Sequence, residues 1–130
     1  MQRALIGAIG VALLGACASE PMRNVQTKIQ ALFQTSKGEQ ALATGLKQYD
    51  DGDYPSSARN LRAAIDKGLS NKDLVDAYKH LAFIDCASGR ERQCRDEFRQ
   101  ALAIDPAMEL SPAEAGHPVW GPIFRSLKPH

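Results

Sequence analysis

Two cysteines, Cys86 and Cys94, bracket the polar run in "FIDCASGRERQCRDEF", and a third, Cys17, follows an apolar N-terminal stretch. A thiol can serve as nucleophile, metal ligand, redox couple or half of a disulfide, and spacing separates these uses. A dithiol redox couple uses Cys-x-x-Cys at a helix N-terminus, and a structural zinc needs four convergent ligands. Neither pattern is present: Cys86 and Cys94 lie eight residues apart, and His80 precedes Cys86 by six, which puts the two on different sides of one helix. Two uses remain, a disulfide between Cys86 and Cys94 or two small thiols packed like alanines, and the first requires an oxidising compartment. Catalytic chemistry has one other candidate, His117 in "SPAEAGHP" as a base, although a histidine before a proline also suits the start of a helix. The chain has no Gly-rich phosphate loop, His-Glu-x-x-His or Gly-x-Ser-x-Gly, so neither an enzyme nor a cofactor or metal is expected. The alternating charges of "GRERQCRDEFR" are expected to form weak surface ion pairs.

With 130 residues, a net charge of +1, 24% charged and 44% hydrophobic residues, the chain fits one small folded domain. Such a balance argues against a nucleic-acid binder working through bulk positive charge. The start, "MQRALIGAIGVALLGAC", has one basic residue and then an apolar run from Ala4 to Leu14, far shorter than the roughly 20 residues that span a bilayer core. It reads as a signal peptide over 1–16. "LLGAC" resembles the lipobox of bacterial lipoproteins, and that resemblance implies cleavage before Cys17, lipidation of Cys17 with acyl chains such as palmitate, and a tether over 17–23. Several acyl chains on one residue make a stable anchor, each buried methylene contributing about 0.8 kcal/mol. Ala18 stands where an aspartate would resemble the inner-membrane retention signal, which favours the periplasmic face of the outer membrane. Export leaves Cys86 and Cys94 as an even pair in an oxidising compartment.

Sliding the sequence by 37 residues aligns Gly45 with Ala82, Gly52 with Gly89, Ser57 with Cys94, Leu61 with Phe98, Ala64 with Ala101 and Ile65 with Leu102. Small residues let antiparallel helices approach, glycine tolerates the left-handed turn, and the large residue fills the space between hairpins. "VDAYKHLAFIDCASGRERQCRDEFRQALAIDP" resembles the tetratricopeptide repeat through Leu81, Ala82, Gly89, Cys94, Phe98, Ala101 and Pro106. The preceding copy keeps Gly45, "GDY", Ser57, Leu61 and Ala64, but it departs at Thr44 and carries three extra residues in "DKGLSNKD". Both copies place a polar residue, Gln48 or Asp85, where tyrosine is typical. The implied fold is all-α, with about two tetratricopeptide-like helical hairpins over 37–108, an amphipathic N-terminal helix over 24–36 and a C-terminal capping segment over 109–130.

Local signals agree. "SKGE" has capping-box spacing for a helix over about 37–51, ended by Gly52. A second helix is expected from Pro55 to Lys67, a third capped by Asp73 and running to about Ser88, and a fourth over about 91–104 before Asp105-Pro106. Val25, Ile29, Leu32 and Phe33 share one face upstream. "SPAE" is another capping signal, and Trp120, Phe124 and Leu127 share a face on which Trp120 is expected to act as a lid on the last hairpin.

In such a hairpin Cys86 and Cys94 lie on either side of Gly89, close enough for a staple contributing about 2 to 3 kcal/mol. The repeat resemblance further implies a peptide-binding groove carrying Leu42, Leu46, Tyr49, Lys79 and Phe83, either open to a partner or covered by the N-terminal helix. Together the lipobox, the repeats, "CASGRERQCRDEFR" and "DPAMELSPAEAGHPVWGPIFR" resemble the TssQ-like lipoproteins associated with type VI secretion systems. That family implies an accessory of an envelope-spanning secretion machine whose partners are other envelope proteins and, through lipid, the membrane. The alternatives are a pilotin-like repeat lipoprotein of pilus or type II secretion assembly, and an envelope enzyme using His117.

Overall fold

The structure, a computed structural model, describes Val25, Gln26, Lys28, Ile29 and residues 35–130. The signal peptide expected over 1–16, Cys17 and the tether expected over 17–23 lie outside the described residues, as does most of the helix expected over 24–36. Val25, Gln26, Lys28 and Ile29 are helical. Residues Thr35–His130 form a separate unit.

Six helices follow in order: α1 Lys37–Asp50, α2 Tyr54–Lys67, α3 Asn71–Ala87, α4 Glu91–Ile104, α5 Pro112–Ala115 and α6 Trp120–Leu127. No strand occurs among the described residues. Each start has a local cause. Ser36 and Glu39 close the capping box on α1, while Asp53 accepts from the Ser56 N–H at the head of α2, with Pro55 in its first turn. The third helix begins earlier than the expected Asp73: Ser70 is its cap, accepting from the Asp73 N–H at 3.3 Å, so Asp73 is the acidic residue of the first turn. Ser111 and Glu114 form the second capping box, but Gly116 ends α5 after one turn.

The helices pair as α1 with α2 and α3 with α4, two antiparallel hairpins packed side by side. Residues that align at the 37-residue offset take equivalent places. Leu61 and Phe98 are fully buried, as are Ala64 and Ala101. Gly52 and Gly89, with φ of 80° and 79°, make the two hairpin turns in the left-handed conformation that a side chain disfavours. At Gly45 a Cβ would stand 2.9 Å from Leu61 Cδ2, and the bare backbone there lets the Ser57 hydroxyl donate to the Gly45 carbonyl at 2.7 Å.

The core has two layers that meet on α3. Ala77, Leu81 and Ile84 pack with Leu42, Leu61 and Ala64 of the first hairpin; Ala82, Phe83 and Cys86 pack with Cys94, Phe98 and Phe124. Every residue from Leu81 to Cys86 is therefore buried, since a helix covered on both sides has no solvent stripe to spare. The C-terminal segment folds back, setting α6 on α3 and α4. Lys128 Nζ donates to the Met108 carbonyl at 2.6 Å and fastens the end of α6 to the loop after α4. Among the described residues no helix is long and apolar enough to cross a membrane.

Candidate functional site

Cys86, in the last turn of α3, and Cys94, in the first turn of α4, are joined as a disulfide with a Cα separation of 5.1 Å, within the span such a bond tolerates. Both are buried, so the bond braces the second hairpin from inside and presents no sulfur to a substrate.

The residues expected to line a groove do not form one open strip. Leu42 is in the first hairpin's core, and Phe83 is 1% exposed because Trp120 stacks on it at 4.4 Å. The cover over Phe83 thus comes from α6, so Trp120 takes the lid position while Leu42 and Phe83 cannot be contact residues. Lys79 reaches across to Glu114 at 3.1 Å, and the Trp120 indole N–H donates to the Glu114 carbonyl at 2.7 Å. Glu114 thereby holds both the lid and the lysine; its carboxyl lies below the usual range because the Ser111 N–H and the Lys79 ammonium outweigh its burial.

What remains is a row of rings crossing four helices. Tyr54 meets Tyr49 at 5.5 Å, Tyr49 meets His80 edge-on at 4.9 Å, and His80 meets Phe83 at 5.7 Å. Trp120 continues the row, and His117 lies flat on it at 3.4 Å. Leu46 and Tyr49 are half-buried along this row, and exposed Tyr54 and Val119 stand near its two ends. Burial pushes the Tyr49 phenol up to about 12, so it stays a neutral donor and acceptor. His80 Nδ1 sits 3.2 Å from Asp76, whose carboxyl is held below its ordinary value by that contact. His117 Nδ1 accepts from the Val119 N–H at 3.1 Å and its carbonyl accepts from Gly121 at 3.0 Å, which uses the residue to launch α6. Such rings can hold an apolar or aromatic side chain, and their polar edges can orient it. Among the described residues no group of three or more His, Cys, Asp or Glu side chains is placed to hold a metal ion.

The charged run after Cys86 is not wholly a surface feature: its Arg90 pairs with the fully buried Asp85 just before it, and its Glu97 keeps 14% of the side chain exposed. Arg90 Nη2 meets Asp85 Oδ1 at 2.7 Å; Arg62 Nη2 meets Asp85 Oδ2 at 3.3 Å and Glu97 Oε1 at 3.5 Å. Glu97 Oε2 is buried and accepts no hydrogen bond. Burial first, then a hydrogen bond and the charge of Asp85, push the Glu97 carboxyl up to about 8 against the pull of Arg62. The repeat explains the arrangement. In the first hairpin Asn60 Nδ2 donates to Gln48 Oε1 at 2.7 Å, and the 37-residue offset carries Gln48 to Asp85 and Asn60 to Glu97. A proton on Glu97, donated to Asp85, reproduces that amide contact in the same direction. Aligning the offset at these four polar positions was the available signal; the apolar positions alone do not reveal it.

No family model matches this chain, and comparison with curated proteins and with solved structures gives no match.

Proposed function

We propose that this chain is a lipid-anchored docking module of the bacterial envelope, with stacked hairpins of tetratricopeptide type. The observation that carries this reading is the partly exposed row Tyr54, Tyr49, His80 and Trp120, held in place by buried Phe83 and by the Lys79–Glu114 bridge. Rings fixed before contact present apolar area with little side-chain entropy left to lose, which suits recognition of an apolar segment of another protein. The lipobox-like "LLGAC" supports lipidation at Cys17 and a periplasmic position on the outer membrane, and an oxidising compartment is where a disulfide between Cys86 and Cys94 persists. The likeness of "CASGRERQCRDEFR" and "DPAMELSPAEAGHPVWGPIFR" to the TssQ-like lipoproteins supports a place as an accessory of a type VI secretion system.

The test is photo-crosslinking in living cells from an amino acid carrying a crosslinker at Tyr54 or Val119, the exposed residues near the two ends of the row. A discrete adduct with a secretion-machine protein from these positions, absent from the exposed Gln100 on α4, is the expected result. Equal or absent adducts from all three positions contradict docking on this row. An adduct with a pilus or type II secretion component would keep the docking face and overturn the assignment to type VI secretion.

A further inference from the structure

The geometry points to a small-carboxylate binding site, separate in its chemistry from the ring row, in the cavity of about 230 Å³ that Arg62 and Arg90 flank. Its other walls are Tyr54, Pro55, Ala58, Ile84 and Ser88, so an apolar floor lies beneath two cations and two hydroxyls. The two guanidiniums come from different elements, Arg62 from α2 and Arg90 from the turn before α4, and one buried anion positions both. Each is about half exposed, and neither Nη1 has a hydrogen-bond partner among the described residues. A planar carboxylate matches donors of this kind, and two preoriented arginines lose little freedom on binding it.

The charge count favours an anion. The groups facing one another are Arg62 of α2, Asp85 of α3, Arg90 of the turn and Glu97 of α4. With the proton on Glu97, two cations face one anion, and a ligand carboxylate completes the balance. When Glu97 loses that proton, its charge appears at Arg62 Nη2, on the same guanidinium whose free Nη1 the ligand needs. Binding is therefore expected to weaken as pH rises through about 8. The carboxylate's source is either a small organic acid or the free C-terminus of a peptide.

The experiment follows the arginine Nε–H signals of the folded protein by NMR during titration with benzoate, with neutral benzamide alongside. A second arm compares a blocked tripeptide bearing a free C-terminus with its amide. Saturable shifts at Arg62 and Arg90 with either acid and not with its amide support the site, and whichever acid binds more tightly identifies the source. Arg62→Gln and Arg90→Gln, each leaving the other arginine on Asp85, are expected to weaken binding about tenfold, the loss of one charge-assisted hydrogen bond. Glu97→Gln is expected to bind with no change of affinity across pH 8. Shifts that never saturate, equal shifts from the amides, or unchanged affinity in both arginine variants overturn the proposal.

Discussion

Replacing Glu97 with glutamine isolates the shared proton. The carboxyl is pushed from 4.5 to about 8 in the fold, so folding takes up a proton between those values. A raised pKa gives stability that is complete below about 4.5 and is lost as pH rises through about 8. One proton bound more in the folded state costs at most about 1.4 kcal/mol per pH unit in that window. Glu97 keeps 14% exposure and Arg62 is half exposed, so solvent screens the pair and we expect about 1 to 2 kcal/mol over the whole window. Glutamine supplies an N–H where the carboxyl supplies an O–H, as Asn60 does for Gln48. The variant should match the wild type below pH 4.5 and exceed it above pH 8. Urea unfolding at a series of pH values reads both slopes. Since every other titrating group is common to the two proteins, the difference between them reports Glu97. A difference that does not change with pH, or a variant that loses its advantage as pH rises, would refute the shared proton.

Reduction of Cys86–Cys94, or Cys94→Ala, should lower stability by about 2 to 3 kcal/mol on the chain-entropy account of a short loop, seen as a lower midpoint in urea. Trp120→Ala removes the stack on Phe83 and the hydrogen bond to Glu114; a loss of about 2 to 4 kcal/mol is expected, with Phe83 gaining solvent contact in hydrogen exchange. Gly45→Ala sets about 1 to 3 kcal/mol of overpacking against Leu61 over about 1 kcal/mol of helix propensity gained, so thermal unfolding should show a net loss; a net gain would mean that Leu61 can move aside.

The hairpins were legible because one spacing repeats residue sizes as well as residue types. Leu61 with Phe98 and Gly52 with Gly89 each predict a place in a hairpin that the structure fills. Capping signals were legible where side chain and N–H are local, at Ser36 and Ser111; at the third helix the cap is Ser70, three residues before the expected Asp73, whose N–H it accepts from. The burial of Asp85 and Glu97 was hidden because it depends on both sides of α3 being covered, and charge alternation on a single helix carries no record of the neighbours that pack on it. The groove differs from the expectation at Phe83 for a related reason, since α6 returns to α3 and lays Trp120 on a surface that the repeat pattern leaves bare, and at Leu42 because that side chain packs into the first hairpin's own core.

An exported, lipid-moored docking module makes one joint demand on the covalent state of the chain. Intact-mass spectrometry of the protein extracted from cell envelopes, with free thiols alkylated beforehand, reads that state in one spectrum. The account predicts a chain starting at acylated Cys17 with Cys86 and Cys94 protected from alkylation. A full-length, unacylated chain with all three cysteines alkylated would contradict it.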